Sequence, residues 1–91
     1  MSVRAIPDQG QLGRAIRELR HEREMTGEQL AFAAQVDLAH LNRAENHGRN
    51  LTWATFVGVA RALGVSASEL VMRAEEVAAR DRAESSAGTD G

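Results

Sequence analysis

The side chains best suited to bind a ligand lie between His40 and Asn50, where basic and amide residues are interspersed with apolar ones. Among them Arg43 carries a planar guanidinium, which can donate two parallel hydrogen bonds to O6 and N7 of a guanine. The sequence has no Ser/His/Asp constellation, no glycine-rich phosphate loop and no paired-carboxylate motif. We therefore predict no catalytic residue and no enzymatic activity, and expect recognition by hydrogen bonding instead.

No cofactor or metal site is predicted either. The chain has no cysteine, and its three histidines, His21, His40 and His47, are scattered. Because a helix and a turn would separate His40 from His47, with no carboxylate at ligand spacing, a zinc site is not expected. The lack of cysteine fits a reducing cytoplasm. No apolar stretch approaches the roughly 20 residues of a membrane span, so no membrane partner is expected.

Two short helices must position the polar segment. Thr26 is a favourable N-cap, and Gln29 three residues later completes a capping box, which predicts a helix that starts at Thr26. Asp37 is a second N-cap, with an apolar stripe following it. Only residues 34–36 remain between the two helices. This spacing predicts a helix-turn-helix.

Two further helices flank this unit. The first is expected from about residue 8 or 11 to Arg23, and the fourth begins after the cap Thr52 and ends at Gly64. Trp53 falls on the apolar face of the fourth helix, which predicts that it is a core anchor. Between the third and fourth helices, residues 46–50 are rich in turn-forming types.

A fifth helix follows a capping box formed by Ser66 and Glu69, and continues to about Arg82. The fold class is therefore all-α, because helix-favouring residues dominate and strand-type alternation is absent. We predict one domain over residues 9–82 and a disordered acidic tail over residues 83–91. Opposite charges four residues apart predict ion pairs within helices: Arg14–Glu18, Glu69–Arg73 and Glu76–Arg80.

The net charge of −2 is unevenly distributed. Residues 1–70 contain eight arginines and eight acidic residues, whereas residues 71–91 contain three arginines and five acidic residues. The predicted domain is thus neutral and the tail acidic. A neutral domain permits a local basic face but gives no strong global attraction to phosphate.

Several phrases of the sequence are typical of one family when they occur together: Ile16-Arg17-Glu18-Leu19-Arg20, Met25-Thr26 with Leu30-Ala31, Leu41 with Arg43 and Glu45, Arg49-Asn50, and Ala60-Arg61-Ala62-Leu63-Gly64-Val65-Ser66. They resemble the Cro/cI-like (XRE-type) helix-turn-helix family over about residues 12–70. The resemblance implies a five-helix, lambda-repressor-like domain that binds specific sequences in double-stranded DNA, usually as a dimer, with its third helix in the major groove. Val36-Asp37 with Glu45 and Arg49-Asn50-Leu51-Thr52 is similar to controller proteins of restriction–modification systems.

The resemblance also implies roles for individual residues. Arg43 and its neighbours would read base edges, the 46–50 turn would contact phosphates, and Leu38 would pack on a thymine methyl group. Arg20 and Glu45 stand where the family has a structural ion pair between the first and third helices. The full set of residues expected to contact DNA is Thr26, Gly27, Leu38, Ala39, His40, Asn42, Arg43, Asn46, Arg49 and Asn50.

A fifth helix that reaches Arg82 outruns a core of this size, so we expect one of its faces to join two copies in a homodimer. The predicted interface residues are Leu70, Val71, Ala74 and Val77.

Two other hypotheses remain open. A protein–protein adaptor could keep this fold with weakened DNA contacts, since Leu38 and Ala39 are apolar and Gly27 stands where the family has glutamine. An antitoxin could use the acidic tail to bind a protein partner, a toxin.

Overall fold

The computed structural model of the chain describes residues 6–49 and 51–88, with side chains described up to Ser85. These residues form five helices and no strand: α1 (Gln9–Glu22), α2 (Gly27–Ala34), α3 (Leu38–His47), α4 (Trp53–Leu63) and α5 (Ala67–Gly88). The all-α, five-helix prediction is confirmed.

Local hydrogen bonds fix where the helices begin. Asp8 and Thr26 each form a complete capping box, so each side chain accepts from the third backbone N–H of its helix. The Thr52 side chain accepts from the N–H of Thr55 at the start of α4, and Ser66 and Glu69 bond to each other's backbone N–H at 3.0 Å. Asp37 is the N-cap residue of α3, as predicted, but its side chain makes no capping hydrogen bond.

The core lies where α1 crosses α3 and α5, with α2 packed on α4. Its largest fully buried side chains come from every helix: Ile16, Leu30, Leu41, Val59, Leu70 and Val77. The prediction that Trp53 anchors this core is wrong, because its side chain is 72% exposed. Trp53 is the first residue of α4 and lies beyond the edge of the core, with its ring stacked on Phe56.

Backbone contact between α1 and α3 depends on two glycines. A Cβ on Gly13 would lie 2.8 Å from the carbonyl oxygen of Glu45 and would overlap that of Ala44. Gly48, which ends α3 with a φ of 65°, lies equally close to the backbone of Gln9 at the start of α1. The two helices therefore touch backbone to backbone at Gly13 and again at Gly48.

Ion pairs join α1 to α5, and the prediction of pairs within single helices is wrong for these residues. The observed pairs are Arg14–Asp81, Arg73–Glu22 and Arg80–Glu18, with a longer contact between Arg73 and Glu18. Two of them are bidentate: Arg73 donates to Glu22 at 2.5 and 3.0 Å, and Arg80 to Glu18 at 3.0 and 2.8 Å. Partners on the neighbouring helix displace the intrahelical ones because α5 lies along α1.

Two expectations about α5 need correction. The helix extends to Gly88, so residues 83–88, predicted to begin a disordered tail, are helical; residues 89–91 lie outside the described residues.

Of the predicted dimer interface, Leu70, Ala74 and Val77 have no exposed surface. Their apolar stripe packs α5 onto its own domain, so these three side chains cannot reach a second copy.

Over the described residues, no single helix is long and apolar enough to cross a membrane. Helix α4 and α5 up to Ser85 pass the length and composition test only as a pair, which is bent by 95° at their junction. Core helices pass the same test.

We expect Gly13→Ala to destabilise the domain by about 3 kcal/mol, since the added methyl group meets backbone carbonyls that cannot rotate away. Gly10→Ala on the same helix is the matched control. Its Cβ would meet only a side-chain oxygen at 3.4 Å, and alanine favours helix, so stability should be unchanged or higher. Urea unfolding of both variants checks this, and equal midpoints would contradict the close crossing.

We expect acid to loosen α5 from α1. Hydrogen bonds from Arg80 hold the pKa of Glu18 below its ordinary value, and those from Arg73 lower the pKa of Glu22. Carboxylates of this kind stabilise the fold above their ordinary pKa of 4.5, and that stabilisation is lost as the pH falls through the lowered value. The melting temperature, followed by circular dichroism, should therefore fall below that pH.

Glu18→Gln should make this acid-induced fall shallower, because it removes one of the titrating carboxylates. Glu84→Gln, a change on the exposed surface of α5, should not alter it. Indistinguishable pH profiles for wild type and Glu18→Gln would show that the α1–α5 ion pairs do not stabilise the fold.

Candidate nucleic-acid interface

The helix-turn-helix is formed by α2, a short turn and α3. Gln35 ends α2 in a left-handed conformation, with φ of 61° and ψ of 42°, and the N–H of Val36 then donates to the carbonyl of Ala31 at 3.0 Å. This reversal brings the starts of α2 and α3 together. A Cβ on Gly27 would lie only 3.4 Å from Leu38 Cδ1. The start of α2 and the outward face of α3 thus form one continuous surface.

The outward face of α3 carries most of the residues predicted to bind DNA. Leu41, Ala44 and Glu45 point into the domain and are buried. The exposed residues of this helix are Leu38, Ala39, Asn42, Arg43, Asn46 and His47, while His40 is half-buried and has an interaction partner within the chain. Leu38 is only 39% exposed, because it also packs beside Gly27.

The first turn of α2 provides backbone donors to the same surface. Thr26 Oγ1 accepts from the N–H of Gln29 at 3.1 Å, and the Gln29 side chain accepts from the N–H of Thr26 at 2.8 Å. The N–H groups of Gly27 and Glu28 have no partner within the helix, since the first turn of any helix leaves such donors unpaired. A helix N-terminus of this kind favours an anion such as phosphate.

The other end of α3 continues further than the sequence indicated. Asn46 and His47, predicted in a turn, are helical, and the helix ends at Gly48. Arg49 follows on the surface and is exposed. Asn50, also predicted to bind DNA, lies outside the described residues.

Arg17 is a residue that the sequence analysis missed. Its guanidinium donates to Asn46 Oδ1 at 3.2 Å, which places a basic group from α1 beside the end of α3. The spacing could have revealed it: Gly13, Arg17 and Arg20 lie four and three residues apart, hence on one face of α1, and the outer two both contact α3.

The structure brings Arg20 and Glu45 together beneath this surface. The guanidinium donates from Nε and Nη2 to the two carboxylate oxygens at 2.8 and 2.9 Å, and from Nη1 to the carbonyl of Met25 at 3.0 Å. Glu45 is only 4% exposed. The hydrogen bond to Glu45 raises the pKa of Arg20 above its ordinary value. The Arg20 side chain therefore ties α1 to α3 and to Met25, which precedes the N-cap of α2.

The charges near α3 differ from those on the opposite side of the domain. Arg14, Arg73 and Arg80 are neutralised by carboxylates on α1 and α5. By contrast, Arg43 and Arg49 form no ion pair with any described residue. A domain with no net charge thus presents unneutralised positive charge along the second half of α3.

Within residues 6–49 and 51–88, no group of three or more histidine, aspartate or glutamate side chains is arranged to hold a metal ion. The surface around α3 consists of hydrogen-bond donors, amides and small apolar groups. Such groups can bind a partner by hydrogen bonding and packing.

A sequence model described as a helix-turn-helix domain matches residues 11–71. The chain belongs to this helix-turn-helix family. The match includes α2, α3 and the Arg20–Glu45 pair, and it confirms the resemblance found in the sequence. A search of curated proteins found no match.

Solved helix-turn-helix structures resemble the chain over most of its length. The restriction–modification controller protein C.AhdI from Aeromonas hydrophila is 30% identical, with a TM-score of 0.67, and the match covers 69% of this chain and 96% of that one. The clp gene regulator ClgR from Corynebacterium glutamicum is 25% identical, with a TM-score of 0.84, over 89% and 86% of the two chains.

A third structure contains DNA. The controller protein C.Esp1396I, bound to a 25 base pair operator site, is 26% identical with a TM-score of 0.65, over 72% of this chain and 91% of that one. The fold of this chain is therefore that of DNA-binding transcription regulators.

We expect Arg20→Ala or Glu45→Ala to cost about 3 kcal/mol or more, because each leaves its partner as a poorly solvated, unpaired charge. Arg82→Ala, at an exposed position on α5, is the control and should leave stability within about 0.5 kcal/mol of wild type. Thermal unfolding of the three variants is the measurement. Equal melting temperatures would mean that this ion pair does not hold the helix-turn-helix in place.

Proposed function

We propose that this protein is a transcription regulator that recognises specific double-stranded DNA sequences through α3. The observation that carries the proposal is the unpaired charge of Arg43 and Arg49 on the exposed side of a helix-turn-helix. On the side formed by α1 and α5, Arg14, Arg73 and Arg80 are neutralised by carboxylates, so their positive charge is not available to phosphate. The regulator would act in the cytoplasm.

The exposed groups divide into two kinds of contact. Arg43 and Asn42 lie on the part of α3 that would enter the major groove, where arginine pairs with guanine and asparagine with adenine. Leu38 and Ala39 cannot hydrogen-bond to a base, but they can pack on the methyl group of thymine. Arg49, Asn46 and the N–H groups of Gly27 and Glu28 would hold phosphates on either side of the groove.

We further propose that the protein binds as a dimer to a palindromic operator. A single recognition helix reads only a few base pairs, and a neutral domain has little charge with which to bind alone. Two copies would combine their contacts on half-sites one helical turn, about 34 Å, apart. The operator named for C.Esp1396I, at 25 base pairs, is longer than one turn of DNA.

The resemblance to C.AhdI and C.Esp1396I supports a narrower proposal, namely a regulator of the controller type. ClgR is named as a regulator of clp genes, so control or regulation is what the names of the three neighbours have in common, and one of the three, C.Esp1396I, is bound to an operator. The binding of a protein partner by the acidic tail stays a prediction.

Two arginine variants distinguish a sequence-specific regulator from an adaptor. On a duplex selected from a random pool, Arg43→Ala should cost about 1–3 kcal/mol, with little change on a scrambled duplex, because only base contacts are lost. Arg49→Ala should weaken binding to both duplexes and lower the slope of log affinity against log salt by about one unit. Fluorescence anisotropy across a salt series measures both.

Arg61→Ala, at an exposed position on α4, is the control and should leave specific and non-specific binding unchanged. The adaptor hypothesis predicts weak binding that disappears near physiological salt, with all three arginine variants alike. A ratio near one between the affinities for selected and scrambled duplexes would overturn the proposed function.

A further inference from the structure

The contact between Arg17 of α1 and Asn46 of α3 lies at the edge of the surface around α3. Arg17 Nη1 donates to Asn46 Oδ1 at 3.2 Å. The position of Arg17 is fixed from both sides, because Gly13, one turn earlier, touches the backbone of α3 and Arg20, one turn later, is bonded to Glu45. The Arg17 side chain is half-buried. Its guanidinium is therefore held beside the last turn of α3.

This hydrogen bond contributes little to holding the two helices together. It is exposed to solvent and its acceptor is a neutral amide, so water can replace it when the chain unfolds. The buried Arg20–Glu45 pair and the backbone contact at Gly13 already join α1 to α3. The main consequence of the Arg17 bond is the orientation that it gives to the Asn46 amide.

The bond determines which end of the amide faces outward. A guanidinium has donors and no acceptor, so the atom of Asn46 beside Arg17 is the oxygen. The NH2 group then points away from Arg17, on the exposed side of α3. No described residue accepts a hydrogen bond from this NH2 group. Asn46 thus presents N–H donors to whatever binds α3.

Asn42, one turn earlier on the same face of α3, differs in this respect. No described residue bonds to its amide, so both its oxygen and its NH2 group are available. Asparagine recognises adenine with two hydrogen bonds, for which it needs a donor and an acceptor. Asn42 can form this pair, whereas the oxygen of Asn46 is already engaged. A phosphate oxygen, which only accepts, suits the donors of Asn46.

The charge of Arg17 favours the same ligand. Like Arg43 and Arg49, Arg17 forms no ion pair with any residue in the described part of the chain. A donor bonded to the oxygen of an amide also polarises that amide, which strengthens the hydrogen bonds that its NH2 group donates. Both effects increase the attraction of Asn46 for an anion.

We propose that Arg17 is a positioning residue for DNA binding, which turns the amide of Asn46 so that its NH2 group donates to a backbone phosphate. This inference rests on the proposed function and deepens it, because one phosphate contact then depends on α1 as well as on α3. It also gives the two asparagines of α3 different partners: a base for Asn42 and a phosphate for Asn46.

A double-mutant cycle on the full chain tests whether Arg17 acts through Asn46. Arg17→Ala and Asn46→Ala should each weaken binding about 10-fold on selected and scrambled duplexes alike, because a hydrogen bond to a charged phosphate is lost. The double variant should be weakened by nearer to about 10-fold than to the roughly 100-fold expected of independent contacts. Fluorescence anisotropy at physiological salt, where distant charges are screened, measures all four proteins.

Two further variants separate orientation from charge and from folding. Arg17→Lys can still donate to Asn46 Oδ1, and the contact is a single bond, so binding should stay within about threefold of wild type. Asn46→Asp keeps an acceptor for Arg17 but has no N–H to donate. It should therefore bind no better than Asn46→Ala, although its melting temperature is not lowered. Arg82→Ala, which removes the same charge from the exposed surface of α5, is the matched control and should bind like wild type.

Four results would overturn the proposal: effects that multiply in the cycle, Arg17→Ala binding like wild type, Arg17→Lys binding as weakly as Arg17→Ala, or Asn46→Asp binding better than Asn46→Ala. An equal loss for Arg82→Ala and Arg17→Ala would also overturn it, since charge alone would then explain the effect. If wild type binds selected and scrambled duplexes equally, the proposed function fails instead, while the cycle on the scrambled duplex still decides the role of Arg17.

Discussion

The close crossing of α1 and α3 is the constraint on which the rest of this structure depends. Gly13 and Gly48 let the two backbones touch, and further along α1 the Arg20–Glu45 pair joins the same two helices, with Arg20 also bonded to Met25 ahead of α2. Backbone contact cannot be adjusted by side-chain rotation, so α3 has one position relative to the core. Because α3 has one position, the directions in which its exposed side chains point are fixed as well. The exposed residues of α3 can therefore be substituted without changing how α3 packs on α1.

The arrangement of charge is a second unifying feature. The neutral charge balance of residues 1–70 hides a separation: carboxylates of α1 and α5 pair with Arg14, Arg73 and Arg80, while Arg43 and Arg49 have no acidic partner among the described residues. The pairs that fasten α5 to α1 also neutralise the positive charge of Arg14, Arg73 and Arg80. Arginines of this domain thus occur in two electrostatic settings, paired and unpaired, and counting charges along the sequence cannot separate them.

Interactions between residues that are close in the sequence could be predicted, whereas interactions between distant elements could not. The helix starts at Thr26, Thr52 and Ser66 were predictable because a cap bonds to a backbone group three residues away. The ion pairs and the burial of Leu70, Ala74 and Val77 were not, because both depend on where α5 lies. The exposure of Trp53 was not predictable either, because it depends on where the core ends relative to the first turn of α4. A stripe such as Leu70, Ala74 and Val77 looks the same in sequence whether it packs on its own domain or on a second copy. Arg17 lies on the same face of α1 as Arg20, so the expected Arg20–Glu45 pair together with helical spacing could have indicated that Arg17 lies near α3.

Gln35 shows that the turn between α2 and α3 is held against a local preference. A residue with a Cβ in the left-handed region gives up about 1 kcal/mol relative to its relaxed conformation. For small domains the free energy of unfolding is typically about 5–15 kcal/mol, so this one position absorbs a noticeable fraction of it. The domain therefore has a narrower margin for further destabilising substitutions than its well-capped helices suggest.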